Sequence, residues 1–97
     1  MATYVSLISW TEQGIRNYRD SVQRADDFRS LVEKVGGRVR ELVWTVGEYD
    51  IVSVIEAPDD ESLTALLLQL GQQGNVRTKT MRGFDAQQMA GIIERAG

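Results

Sequence analysis

Apolar and polar side chains alternate with a period of two in four stretches of this chain, and with a helical period in the stretches between them. Thr3 to Trp10 sets Tyr4, Ser6, Ile8 and Trp10 on one side and Thr3, Val5, Leu7 and Ser9 on the other, the signature of a strand. Both sides carry apolar groups, so this strand is expected to be covered on both faces. Thr11-Glu12-Gln13-Gly14 breaks the pattern, and Ile15 to Asp20 leaves room for a helical turn. From Ser21 onward Ala25, Phe28, Val32 and Val35 recur at helical spacing, with Asp26, Asp27, Arg29 and Glu33 pointing away. Gly36-Gly37 predicts the end of that helix.

Arg38 to Val46 reads as a second strand, charged at its start and so suited to a sheet edge. Gly47-Glu48 predicts a tight turn into a third strand, Tyr49 to Ala57. Ile51, Val52, Val54 and Ile55 cover both faces of that strand and place it centrally. Pro58 stops it. Asp59-Asp60-Glu61-Ser62 predicts a helix start, with acidic groups at the positive end of the helix dipole. Leu63, Leu66, Leu67 and Leu70 form its apolar stripe, and Gly71 to Gly74 closes it. Asn75 to Phe84 reads as a fourth strand. Asp85-Ala86-Gln87-Gln88 predicts a capping box and a last helix with a face of Met89, Ile92, Ile93 and Ala96.

The order βαββαβ plus a terminal helix predicts an α+β domain of ferredoxin-like type: a four-stranded antiparallel sheet with two helices on one face. Two helices cover only that face. The first and third strands are apolar on both faces, so the second face predicts a further copy of the sheet and a dimeric α/β barrel, or a multiple of such dimers.

Ninety-seven residues accommodate one domain, taken as 1–97. The net charge of -3 changes the picture by arguing against nucleic acid as partner, and neither half of the chain is basic. Cysteine and histidine are both absent. That removes disulfides, thiolate nucleophiles, the commonest general base and the commonest transition-metal ligands, so no metal and no cofactor are expected. Neither a signal peptide nor an apolar run of ~20 residues is visible, so the expectation is a cytoplasmic protein that does not enter membranes.

The hairpin carries a resemblance. Trp44-Thr45-Val46-Gly47-Glu48-Tyr49-Asp50, followed by Ile51-Val52 and Glu56-Ala57-Pro58-Asp59-Asp60, is similar to the signature of the GYD domain family. So are Ser9-Trp10-Thr11-Glu12-Gln13-Gly14-Ile15, Asp20-Ser21, Arg24-Ala25 and Gly74-Asn75-Val76-Arg77-Thr78. The resemblance spans nearly the whole chain and implies a dimeric α+β barrel, while implying little about activity. The Gly-x-Tyr-Asp turn also resembles the ligand-sensing domain of feast/famine transcriptional regulators, which bind small amino acids between protomers. Here no reading helix precedes the first strand, so sensing would act through a partner.

Candidate functional residues follow from the same stretches. Gly47-Glu48-Tyr49-Asp50 is first a turn, in which Gly tolerates positive φ and Asp bonds nearby backbone, and second a ligand contact. Asp50 is either solvated at the sheet rim or held by a specific donor. Trp10 and Trp44 are core or interface anchors, or pocket walls. Tyr4, Ser6 and Trp10 would line a cavity with Ser53 and Thr78 if the register allows. The ligand-binding candidates are therefore Tyr4, Trp10, Trp44, Tyr49, Asp50 and Ser53; no catalytic residue is assigned. Arg77, Lys79 and Arg82 either take an anion or protect an edge strand from aggregation. Asp50 and Glu56 lie ~20 Å apart along a strand and cannot act on one bond within a protomer. Two functions remain in view: a small-molecule-binding or assembly module working as an oligomer, and, less favoured, a cofactor-free enzyme of the dimeric-barrel monooxygenase or isomerase type.

Overall fold

The structure, a computed structural model, describes residues 1–97. The strands are β1 (Ala2–Trp10), β2 (Arg38–Trp44), β3 (Ile51–Ala57) and β4 (Val76–Gly83). The helices are α1 (Glu12–Arg16), α2 (Ser21–Lys34), α3 (Asp60–Gln72) and α4 (Ala86–Ala96), and a 3-10 turn, Tyr18–Asp20, precedes α2. The strands form one antiparallel sheet in the order β2-β3-β1-β4, which is the ferredoxin-like α+β architecture. β2 and β4 are edges and β3 is central, as the charge and apolar patterns predict.

Each helix end has a chemical cause. The α2 terminus is a Schellman stop: the Gly36 N–H donates to Glu33 and the Gly37 N–H to Val32, with Gly36 at φ +85. The Asp59 carboxylate accepts from the Ser62 N–H at 2.7 Å and caps α3. At α4, Asp85 and Gln88 complete the reciprocal capping box.

Register sorts the side chains into two faces. Tyr4, Ser6 and Ile8 of β1 stand beside Ile55, Ser53 and Ile51 of β3 and pack under α2 and α3. The core joins Tyr4, Ile55 and Ala57 to Phe28, Val32, Leu63 and Leu66. The opposite face carries Val5 and Leu7 of β1, Val52 and Val54 of β3, Val43 of β2 and Met81 of β4, and no helix covers its centre. Only 15 of the 97 residues are buried, a thin core even for a chain this short.

Three segments differ from the sequence expectation. Thr11 to Gly14 is not a simple break: the Thr11 hydroxyl accepts from the Gly14 N–H at 3.1 Å and caps the short helix α1. The connection between β2 and β3 is a six-residue loop, Thr45 to Asp50, in place of a two-residue turn. The strands accordingly end at Trp44 and restart at Ile51, not at Val46 and Tyr49. Finally β4 is shorter by one residue at each end than Asn75 to Phe84.

Candidate functional site

The 45–50 loop is built around Asp50. Its N–H continues the β1–β3 ladder by donating to the Ile8 carbonyl at 2.9 Å, and its carboxylate accepts from the Trp10 N–H at 2.8 Å. A side-chain oxygen thus takes the donor that a strand carbonyl would otherwise have met, and the backbone is free to leave the sheet. Of the two sequence alternatives for Asp50, the specific donor is the one found. The Thr45 N–H donates to the Asp50 carbonyl at 2.8 Å and the Thr45 hydroxyl to the Tyr49 carbonyl at 2.6 Å, closing the base of the loop. Gly47, at φ +132, supplies a conformation that L side chains rarely adopt. Val46 is pushed fully into solvent, and Tyr49 lies with its ring 5.8 Å from the Lys79 ammonium of β4.

The other candidates lie on the helix-covered face. Ser53 is fully buried and donates to the Glu41 carbonyl at 3.0 Å. The Trp44 indole N–H donates to the Ser21 hydroxyl at 2.9 Å, so this tryptophan ties edge strand β2 to the start of α2. The Trp10 indole N–H is the one buried side-chain polar atom without a partner, at a cost of about 1–3 kcal/mol. Trp10 walls an apolar pocket with Ile8, Phe28, Ile51 and Val76, but that pocket holds only about 40 Å³. Such a space suits one or a few waters, against the roughly 300 Å³ at which small-molecule sites begin. The six candidates therefore do not converge: Tyr4, Trp10, Trp44 and Ser53 face the helices, whereas Tyr49 and Asp50 belong to the loop at one end of the sheet.

A cluster that sequence reasoning did not assemble joins Tyr4 to Asp60 and Arg82. The Tyr4 hydroxyl donates to the Asp60 carboxylate, and the Arg82 guanidinium lies 5.6 Å from the Tyr4 ring centroid and 4.7 Å from that of Phe84. These groups border a groove of about 260 Å³ between α3 and β4, with Leu63, Thr64, Leu67 and Thr80. Burial, together with donation to Asp60, pushes the Tyr4 phenol up to about 12. Tyr4 thus stays protonated at neutral pH and acts as a donor, not as a base. Asp60 read from sequence only as a helix start; its link to Tyr4 depends on where α3 lies over β1, for which the chain carries no local signal.

Glu56 forms ion pairs with Arg38 at 2.8 Å and Arg40 at 3.7 Å, at the end of the sheet opposite Asp50. No group of acidic side chains is arranged to hold a metal ion, and no helix is long and apolar enough to cross a membrane.

The open face of the sheet has no covering element within the chain. Its half-exposed Val43 and Met81 flank Val5, Leu7, Val52 and Val54 in adjoining register rows. Strand spacing and rise give the whole face a footprint of roughly 400 Å², and its aliphatic centre lies between Glu41 of β2 and Lys79 of β4.

Comparison with known proteins agrees with this architecture. The family model for the GYD domain matches residues 4–93. A curated relative from Thermus thermophilus, named as a glutamine synthetase and cystathionine beta-lyase binding protein, is 29% identical over 85 residues, covering 87% of this chain and 90% of its own length. The crystal structure of TTHA0845 from Thermus thermophilus superimposes with a TM-score of 0.54 at 25% identity, over 89% of this chain and 96% of that one. The leucine response regulatory protein of Mycobacterium tuberculosis shares the fold, with a TM-score of 0.56 at 18% identity over 88% of this chain. MtbAldR shares it with a TM-score of 0.67 at 14% identity over 87%. The chain spans about half the length of each of these last two proteins.

Proposed function

The chain belongs to the GYD domain family, and from that premise we propose that it is a binding and assembly module, one domain that pairs with a second copy through its uncovered sheet face and presents the joined pair to other proteins. The observation that carries this reading is the composition of that face. Its central rows are valine, leucine and methionine, with Lys79 at the β4 edge and Glu41 at the β2 edge, on a monomer that buries few residues elsewhere, and covering the aliphatic part would return about 25 cal/mol for each Å². The relative named as a binding protein for two enzymes supports the presentation role. Partner enzymes of this chain are proposed by that analogy alone.

Sedimentation equilibrium at micromolar concentration tests the reading. The expected species is a dimer or a multiple of it, and a monomer at those concentrations overturns the proposal. Pull-down from a cell extract then compares the native protein with Val54→Asp, which should lose any partner that requires the paired form.

A small-molecule role rests on the groove between α3 and β4, where a phenol, a carboxylate and a guanidinium lie together. A stoichiometric adduct in native mass spectrometry that disappears in Tyr4→Phe would support it. Catalysis finds less support there, because a phenol held protonated up to about 12 is a poor general base at neutral pH.

A further inference from the structure

The open face carries opposite charges on its two edges. Across the sheet, Glu41, Val54, Val5 and Met81 form one row, and Val43, Val52, Leu7 and Lys79 form the next. Val5, Leu7, Val52 and Val54 thus make an aliphatic square on the two central strands. Glu41 and Val43 border it on β2, and Met81 and Lys79 border it on β4. All four border residues are exposed, and neither Glu41 nor Lys79 is ion-paired within its own chain. The cations at the start of β2 are already matched, since Arg38 and Arg40 both meet Glu56. On β4, Arg77 stands beside Ser9 on the same face as Lys79 and is a second cation without an ion pair. The β2 border is therefore left acidic and the β4 border basic.

A second copy with aligned strands covers this face in one of two ways. The aliphatic square does not choose between them, because it falls on itself in both. The borders do choose. A twofold axis between the sheets and across the strands stacks like edges, β2 on β2 and β4 on β4. Diagonal neighbours on facing edges are then Glu41 with Glu41 and Lys79 with Lys79, and Arg77 adds to the second repulsion. A twofold axis along the strands instead lays β2 of each copy over β4 of the other. The diagonal neighbours become Glu41 with Lys79 and Val43 with Met81, and each pair occurs twice. Such neighbours are offset by one row, roughly 7 Å along the strands, across a gap of ~10 Å between sheets. Extended glutamate and lysine side chains together span that separation.

We propose that the two copies pair about a twofold axis along their strands, with Glu41 of each bonded to Lys79 of the other. This rests on the sheet-face reading above and adds the orientation of the pair and the residues that select it. The aliphatic square supplies affinity, and the charged borders fix the arrangement by attraction in one orientation and repulsion in the other. Ion pairs at such a rim are individually weak because solvent screens them. Their weight falls on the difference between the two orientations, where each attraction replaces a repulsion.

Dimer dissociation constants from sedimentation velocity at low salt test it, with circular dichroism confirming that each variant is folded. Val54→Asp, in the aliphatic square, is the reference and abolishes association. Glu41→Lys and Lys79→Glu should each weaken the dimer about tenfold, and the double variant should return to within about threefold of the native protein. Cross-linking reads the orientation directly, because the chain has no cysteine of its own. A short bis-maleimide should join the Val43→Cys/Met81→Cys double variant into a covalent dimer and leave each single variant unjoined. Efficient cross-linking of Val43→Cys or Met81→Cys alone would show that like edges meet, which overturns the orientation and leaves the sheet-face reading standing. Charge reversals that leave the dimer unchanged, or that weaken it without mutual rescue, also overturn the proposal, since Glu41 then does not meet Lys79. A dimer indifferent to Val54→Asp overturns both readings together.

Discussion

The two faces of one sheet follow opposite rules. On the covered face, β1 and β3 interleave Ile8, Ile51 and Ile55 with Tyr4, Ser6 and Ser53, and each of these hydroxyls has a partner: Asp60, Thr80 and the Glu41 carbonyl. On the open face the same two strands present Val5, Leu7, Val52 and Val54 in their central rows, with no hydroxyl among them. At the centre of β1 and β3 the exposed face is thus more uniformly aliphatic than the buried one, while Glu41 and Lys79 flank it on the edge strands. Polar groups inside a monomer are tolerated where a fixed neighbour satisfies them. A face waiting for a partner gains most from groups that have no hydrogen bond to lose. The contrast separates the surface that is finished within the chain from the one that the proposed pairing would complete.

Substitutions can break or sharpen that contrast. Ile55→Ala, fully buried on the covered face, should cost about 3 kcal/mol in urea unfolding, by cavity formation. A loss below ~1 kcal/mol would mean that the covered face is not the folding core. Asp50→Ala should cost about 2 kcal/mol, since it orphans the Trp10 N–H at the junction of sheet and loop. Hydrogen exchange at the Trp10 amide should speed up in this variant ahead of the β1 centre, and equal acceleration along β1 would contradict the local role.

Tyr4→Phe should cost about 1 kcal/mol at neutral pH and should also change the alkaline limb. The folded phenol keeps its proton up to about 12, whereas an unfolded tyrosine releases it near ~10. Between those values the native state binds more protons, so its stability falls as pH rises, and Tyr4→Phe should flatten that decline in pH-dependent melts. The smallest effect belongs to the open face. Val52→Thr, measured at concentrations dilute enough to keep the chain monomeric, should shift stability by no more than ~0.5 kcal/mol. A cost similar to that of Ile55→Ala would erase the distinction between the faces.

Much of the fold was legible along the chain because it rests on local periodicity and local caps. The period-two runs located all four strands, Gly36-Gly37 located the α2 stop, and Asp59 and Asp85 located two helix starts within a residue. The 45–50 loop was misread at its edges because Tyr49 and Asp50 have the apolar and turn character that suits either a strand end or a tight turn. The alternative chosen depends on the Trp10 N–H, forty residues away. The helix α1 was missed for a similar reason. Gly14 suggested a break, but its lack of a side chain serves a close approach, where a Cβ would sit 1.9 Å from the Asn75 carbonyl oxygen.

What the amino-acid order determined unaided was element type, approximate length, the edge and centre of the sheet, and the presence of an apolar face that two helices could not cover. These follow from side-chain alternation and from chemistry within a few residues, which no distant contact needs to supply. Tertiary structure alone decided which alternating set met the helices, that Tyr4 met Asp60 and Arg82, and that the six candidate residues were divided between two places. Register is set by pairing across the whole sheet, and a shift of one residue would exchange its faces. Long-range pairing thus turned one alternating pattern into a finished interior and an unfinished surface.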